Sequence, residues 1–114
     1  MKLYGIPNCD TVKKARAWLA EAGLEYAWHD YKKQGVDRAL LQGWIGQRGW
    51  EVLVNKSGTT WRKLDDDSKA AVHDAESAIA LMLSQPSVIK RPVLEHDGKI
   101  LVGFNPNDYA AFLK

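Results

Sequence analysis

Residues 2–29 read KLYGIPNCDTVKKARAWLAEAGLEYAWH, and the order of patterns in this stretch decides the fold. Lys2 to Gly5 is a short strand pattern that stops at Gly5-Ile6-Pro7-Asn8. Val12, Ala15, Leu19 and Ala22 follow at steps of three, four and three, which lines them along one face of a helix. Asn8 or Asp10 can cap its start and Gly23 can close its end. Residues 24–29, rich in aromatic side chains, read as a second strand. Strand, helix and strand with short joints predict a right-handed βαβ unit with parallel strands.

The far end of the chain completes a sheet. Val93 to His96 and Lys99 to Gly103 flank Asp97-Gly98, a two-residue hairpin signal. Asn105-Pro106 opens a last helix, with Asn at the cap and Pro at the first helical position. Tyr109, Phe112 and Leu113 give that helix an inward face. The middle is mostly helical. Asp37 caps a segment with the apolar stripe Leu40, Leu41, Trp44 and Ile45, and Gly49 ends it. Asn55 to Gly58 is a turn cluster, residues 59–64 read as a short helix, and the acidic run Asp65 to Ser68 suits either a helix N-terminus or a solvated loop. Residues 75–83 are apolar on nearly every side and predict a buried helix ending before Pro86. The order β-α-β, helical insertion, β-β-α predicts one α/β domain over residues 1–114. Its arrangement is thioredoxin-like, a mixed four-stranded sheet with an inserted helical lobe at about residues 34–90.

Composition narrows the function. The chain has 114 residues, 16 Lys and Arg against 14 Asp and Glu, and a net charge of +2, too small to make nucleic acid the expected partner. The longest apolar run, residues 78–83, falls far short of the roughly 18 residues of a membrane span. A single Cys excludes an internal disulfide and a Cys-rich zinc site. With no secretion signal visible, it favours the reducing cytoplasm. Nothing in the sequence demands more than a monomer.

Cys9 is the residue that carries chemistry. It stands where the first strand gives way to a helix, beside unpaired backbone N–H groups and the positive end of the helix dipole. A thiolate there is favoured over the thiol. A thiol of ordinary pKa, about 8.5, is only ~3% thiolate at pH 7, and a population about three-quarters thiolate requires about 2.7 kcal/mol of extra stabilisation. A helix terminus typically contributes about 0.3–1 kcal/mol, at most about 2. Cationic side chains must therefore approach a catalytic Cys9, and Arg62 and Arg91 are the best candidates. Pro92 precedes the third strand; in a thioredoxin-like fold that proline packs on the active-site loop, usually after a cis bond, which places Arg91 beside Cys9. Two guanidinium groups there can also hold an oxyanion or a carboxylate.

Other patterns are weaker. Val12 stands where a Cys-x-x-Cys pair needs its second thiol, and Ala15 where a phosphatase loop needs Arg. His29, His73 and His96 have no metal-ligand spacing and read as surface histidines, so no metal is expected. Lys13, Lys14 and Arg16 read as a solvated helix face. The five Trp residues read as core and lobe packing.

Four segments taken together are similar to a known family. They are residues 4–15 (YGIPNCDTVKKA), 58–64 (GTTWRKL), 89–94 (IKRPVL) and 102–104 (VGF). In this order they resemble the arsenate reductase-related (ArsC/Spx-like) family, within it the small YffB-like branch, along essentially the whole chain. The resemblance implies a thioredoxin-like fold, a single nucleophilic cysteine at Cys9, anion binding by Arg62 and Arg91, and a cis bond before Pro92. Glutathione-coupled arsenate reductases of this family carry a third Arg after the hairpin; here that region reads Gly103-Phe104-Asn105-Pro106, without it.

The expected function is a glutathione-dependent thiol/disulfide oxidoreductase. Cys9 attacks an oxidised or glutathionylated thiol, and an external thiol resolves the adduct because the chain holds no second cysteine. Glutathione serves as reducing co-substrate, with glutaredoxin as a further candidate partner, and Asn8 and Thr11 are expected to supply hydrogen bonds at the loop. No tightly bound cofactor is expected. The alternatives are arsenate reduction itself, and a Spx-like regulator that binds RNA polymerase.

Overall fold

The computed structural model describes residues 1–114, and their contacts divide them into two compact units. The first joins residues 1–34 to residues 91–114 and holds the sheet; the second, residues 35–90, is helical.

In the sheet unit, β1 (Lys2–Gly5) is central. It pairs in parallel with β2 (Ala27–Asp30) and antiparallel with β3 (Val93–His96), which pairs antiparallel with β4 (Lys99–Val102). The strand order is β2-β1-β3-β4, the mixed four-stranded sheet expected. Asp97 and Gly98 turn the hairpin with φ of 53° and 77°. Both central residues in the left-handed region make the turn whose twist matches its strands.

Between β1 and β2 runs α1 (Asp10–Glu21). Val12, Ala15 and Leu19 are buried as their spacing predicts, whereas Ala22 is exposed because the helix has already ended there. The N–H of Gly23 (φ 70°) donates to the Ala20 carbonyl and that of Leu24 to the Leu19 carbonyl, both at 3.0 Å. This paired closure uses the left-handed backbone that glycine allows. It also explains why β2 starts at Ala27 and not at residue 24: Leu24 is still part of the helix end.

One face of the sheet carries the core of this unit. Leu3 and Leu94 pack with Ala15 and Leu19 of α1 and with Tyr109 of α8 (Pro106–Phe112). Trp18 and Phe104 meet Tyr109 edge-on at centroid distances of 5.6 and 4.8 Å. Such aromatic pairs add about 0.5–1.5 kcal/mol each to plain area burial. Asn105 caps α8, its side chain accepting from the N–H groups of Asn107 and Asp108, with Pro106 following as expected.

The helical unit holds α3 (Arg38–Arg48), α4 (Trp50–Leu53), α5 (Thr59–Arg62), α6 (Asp66–Ala70) and α7 (Ala75–Ser84). A 3-10 turn, Pro86–Val88, ends it. Asp37, Asp65 and Asp74 cap α3, α6 and α7, each accepting from the backbone N–H three residues on. The acidic run at Asp65 is thus a helix start rather than a loop. In α7 Ala78, Ile79 and Met82 are buried, but Leu83 is 37% exposed, so the helix is not buried all round. No helix is long and apolar enough to cross a membrane.

Candidate functional site

The site grows from one end of the sheet. Gly5 pairs with Asp30, and Tyr4 pairs with Val93. The last residues of β1 and β2 and the first of β3 therefore share an edge. The Gly103 N–H donates to the Pro92 carbonyl at 2.8 Å, which brings the end of β4 to the same edge. The loop from Ile6 to Cys9 leaves β1 there, and Arg91-Pro92 enters β3 there through a cis peptide bond. Pro92 is buried and Arg91 half-buried.

Cys9 is half-buried and is itself the N-cap of α1, with extended backbone (φ −135°, ψ 123°). Its carbonyl accepts from the Lys13 N–H at 2.9 Å. Asn8 and Asp10 do not cap the helix: Asn8 lies one residue too early, Asp10 is already helical, and no side chain bonds the N–H groups that open α1. Those donors face the end where the thiol stands. The close approach of α1 to β1 requires glycine at position 5. A Cβ there would lie 2.9 Å from Cγ2 of Val12 and 3.4 Å from the Trp28 ring. Asn8 and Thr11 are exposed beside Cys9.

Behind Arg91 lies a polar and aromatic cluster on the sheet face opposite the leucine core. Tyr4 and His29 are adjacent across β1 and β2, with ring centroids 4.8 Å apart, and His29 meets Tyr31 edge-on at 6.4 Å. His29 is thus half-buried between two tyrosines and not a surface histidine. Burial holds the Tyr31 hydroxyl well above the ordinary tyrosine range, while the Arg91 guanidinium opposes the rise and Tyr4 adds to it. Arg91 and Tyr31 are therefore electrostatic neighbours. Arg16 also departs from the solvated face expected of it. Its guanidinium packs 4.3 Å from the Trp28 ring, and its Nε donates to the Tyr26 hydroxyl at 2.9 Å.

Next to the loop is a depression of roughly 230 Å3 lined by Ile6, Pro7, Asn8, Asp30, Lys32 and Lys33. Asp30 is only 6% exposed. Its Oδ1 accepts from the Lys32 N–H at 2.8 Å and from that of Lys33 at 3.4 Å, and its own N–H donates to Oε1 of Gln34 at 3.1 Å. These bonds fold the short helix α2 (Tyr31–Gln34) directly after β2. Sequence reading does not single out these residues. The usable signal is their place, since ligands in open α/β sheets bind outside the carboxyl ends of the strands.

Of the sequence-predicted site residues, the sheet unit brings Asn8, Cys9, Thr11, Arg91 and Pro92 to the same end of the sheet. Arg62 belongs to the helical unit, exposed at the end of α5. Its loop is fixed there by Asn55, whose N–H donates to the Val88 carbonyl at 2.8 Å and whose side chain accepts from the Ser57 N–H. No three His, Cys, Asp or Glu side chains gather as metal ligands do.

Comparison with known proteins places this arrangement. The ArsC family model matches residues 4–112. The YffB (PA3664) protein is 55% identical in sequence and superposes with a TM-score of 0.93 over 98% of this chain and 97% of its own. An arsenate reductase (ArsC) related protein from Brucella melitensis is 53% identical, with a TM-score of 0.77 over 100% of this chain and 96% of its own. The global transcriptional regulator Spx of Streptococcus pyogenes is 27% identical over 97% of this chain and 83% of its own length.

Proposed function

The chain belongs to the ArsC family, and from that premise we propose that it is a thiol/disulfide oxidoreductase that works through Cys9 with glutathione as reductant. One observation carries the reading. The lone thiol is half-exposed at an α1 N-terminus that no side chain caps, at the sheet end where Arg91 and Pro92 enter β3.

The chemistry runs in two exchanges. The Cys9 thiolate attacks the glutathione sulfur of a glutathionylated thiol; a new S–S bond forms on Cys9, the old one breaks, and the substrate leaves as its thiolate. A glutathione thiolate then attacks the glutathione sulfur on Cys9, releasing oxidised glutathione and restoring the Cys9 thiolate. The open N–H groups of α1 and the Arg91 guanidinium favour negative charge on the attacking and leaving sulfur. Asn8 and Thr11 are the loop groups available for hydrogen bonds to the reacting disulfide. Arg62, exposed in the helical unit, is assigned an anion-binding role on family resemblance alone. Pro92 fixes the strand entry that carries Arg91. The proposed setting is the cytoplasm, where glutathione is reduced, with glutaredoxin as a further candidate partner and no bound cofactor.

The test is glutathione-dependent reduction of a glutathionylated peptide, followed by intact mass. The expected result is turnover, a Cys9 adduct carrying one glutathionyl group, and loss of both in Cys9→Ser. Activity that survives Cys9→Ser overturns the reading. Arsenate reduction is expected to be poor. The position after the hairpin is occupied by Asn105 and Pro106, which start α8, and it offers no third guanidinium. The likeness to Spx motivates a second reading, a regulator that binds RNA polymerase. Val12, buried against Gly5, stands where a second switch cysteine belongs, which counts against it. Capture of polymerase with no thiol turnover favours that alternative.

A further inference from the structure

We propose that the depression beside the Cys9 loop binds the α-amino-acid end of a γ-glutamyl thiol, its ammonium on Asp30 and its carboxylate on Lys32 and Lys33. This deepens the function proposed above and rests on it. The depression, roughly 230 Å3, is smaller than the roughly 300–1,000 Å3 of pockets that enclose a whole ligand, so it takes one end of a tripeptide. Ile6 and Pro7 give it an apolar wall beside the polar residues Asn8, Asp30, Lys32 and Lys33.

The polar groups are of both signs. Asp30 is almost wholly buried, and both backbone donors it accepts from go to Oδ1, which fixes the carboxylate and leaves Oδ2 to accept from a ligand. Lys32 and Lys33 are exposed on the same wall. A simple anion meets the lysines but is repelled by Asp30. A simple cation meets Asp30 but is repelled by the lysines. A zwitterion satisfies both, and the γ-glutamyl end of glutathione is a zwitterion carrying ammonium and carboxylate on one carbon. The glycine end carries a carboxylate alone and leaves Asp30 unmatched.

The connectivity also fits. Asn8 lines the depression and is the chain neighbour of Cys9, one Cα step of 3.8 Å away. In glutathione the γ-glutamyl group is likewise the neighbour of the cysteine. A glutathionyl group on Cys9 therefore places its γ-glutamyl end toward Asn8 and Asp30. The site sets which half of a mixed disulfide remains on Cys9: the glutathionyl half stays and the other thiol leaves.

The experiment is a residue-resolved NMR titration of the whole chain with three unreactive ligands: S-methylglutathione, S-methyl-γ-glutamylcysteine and S-methylcysteinylglycine. The amides of Lys32 and Lys33 report directly on Asp30, which they bond. The first two ligands are expected to move these amides with similar Kd, and the third to bind about tenfold or more weakly, the scale of losing a charge-assisted contact. Lys32→Met with Lys33→Met is expected to weaken the first two about tenfold. Asp30→Asn is expected to erase the preference for the two γ-glutamyl ligands over S-methylcysteinylglycine; the lysine variant decides the matter if that one does not fold. Equal binding of all three ligands, or shifts confined to other residues, overturns the proposal. Glutathione turnover combined with equal binding sinks this site and leaves the function standing. A γ-glutamyl preference without turnover at Cys9 keeps the site and sinks the oxidoreductase reading.

Discussion

The two units hold themselves together in different ways. The sheet unit relies on pairings between residues far apart in the chain, Tyr4 with Val93 for example, and on one core where two helices meet the sheet over Leu3, Leu94 and Tyr109. The helical unit relies on local fastenings. Asp37, Asp65 and Asp74 accept backbone N–H groups at 2.8, 2.7 and 2.9 Å, and Ser77 closes a capping box with Asp74. Against that pattern α1 stands out. It is the longest helix, 12 residues, and its N-cap is a cysteine with no side-chain hydrogen bond. The four-residue helices α4 and α5 also start without a side-chain cap, at Gly49 and Gly58. The longer helices α3, α7 and α8 each have an Asp or Asn there, and among these longer helices only α1 leaves its first N–H groups open, beside the thiol.

The strongest blow to this contrast is a cavity in the sheet core. Leu94→Ala is expected to lower stability by about 2–5 kcal/mol and to melt the hydrogen-exchange protection of both β1 and β3. Protection lost in β3 alone would show that the strands are not held by one core. Next is Gly5→Ala, whose new Cβ meets Val12. Forcing α1 off β1 is expected to cost about 1–3 kcal/mol and to change the alkylation rate of Cys9, since the helix that carries it must move. An unchanged rate alongside lost stability separates packing from the thiol site.

Titration tests the two units at opposite ends of the pH scale. Hydrogen bonds from Ser68 and Ser77 hold Asp65 and Asp74 below the usual carboxylate range. Their contribution is present above the unfolded value near 3.8 and is lost as pH falls through the lower folded value. Burial raises Tyr31 and Tyr109 above the ordinary value of 10.0. Theirs is present below about pH 10 and is lost as pH rises toward the folded value. Residue-resolved NMR is expected to show the amides after Asp65 and Asp74 loosening first in acid, and those around Tyr31 and Tyr109 first in alkali. The reverse order contradicts the contrast. The smallest effect is the most specific. Cys9→Asp supplies the missing cap and is expected to raise stability by about 0.5–1 kcal/mol, read from a denaturant midpoint, while abolishing thiol exchange.

Much of the fold was legible where one residue type answers one local need. Asp97-Gly98 makes its turn because both positions need positive φ; Asp37 and Gly49 bracket α3, and Asn105-Pro106 starts α8. What was not legible depends on tertiary partners. The four-residue helices α2 and α4 are too short for a periodic pattern, and the 3-10 turn at Pro86 is set by the bridge between Val54 and Ile89. At the candidate site, the place of Cys9 and the cis bond before Pro92 were readable, whereas the α1 cap was misplaced by one residue because Asn and Asp are commoner caps than Cys. Asp30, Tyr31 and Lys33 gave no signal, because only strand register brings the end of β2 beside the end of β1.

A chain with one thiol cannot close on itself. Every oxidising equivalent that reaches Cys9 stays attached as added mass until a second molecule removes it. If the accessible thiol works as proposed, the fraction of heavier protein in freshly quenched cells is a running gauge of how fast that second molecule arrives.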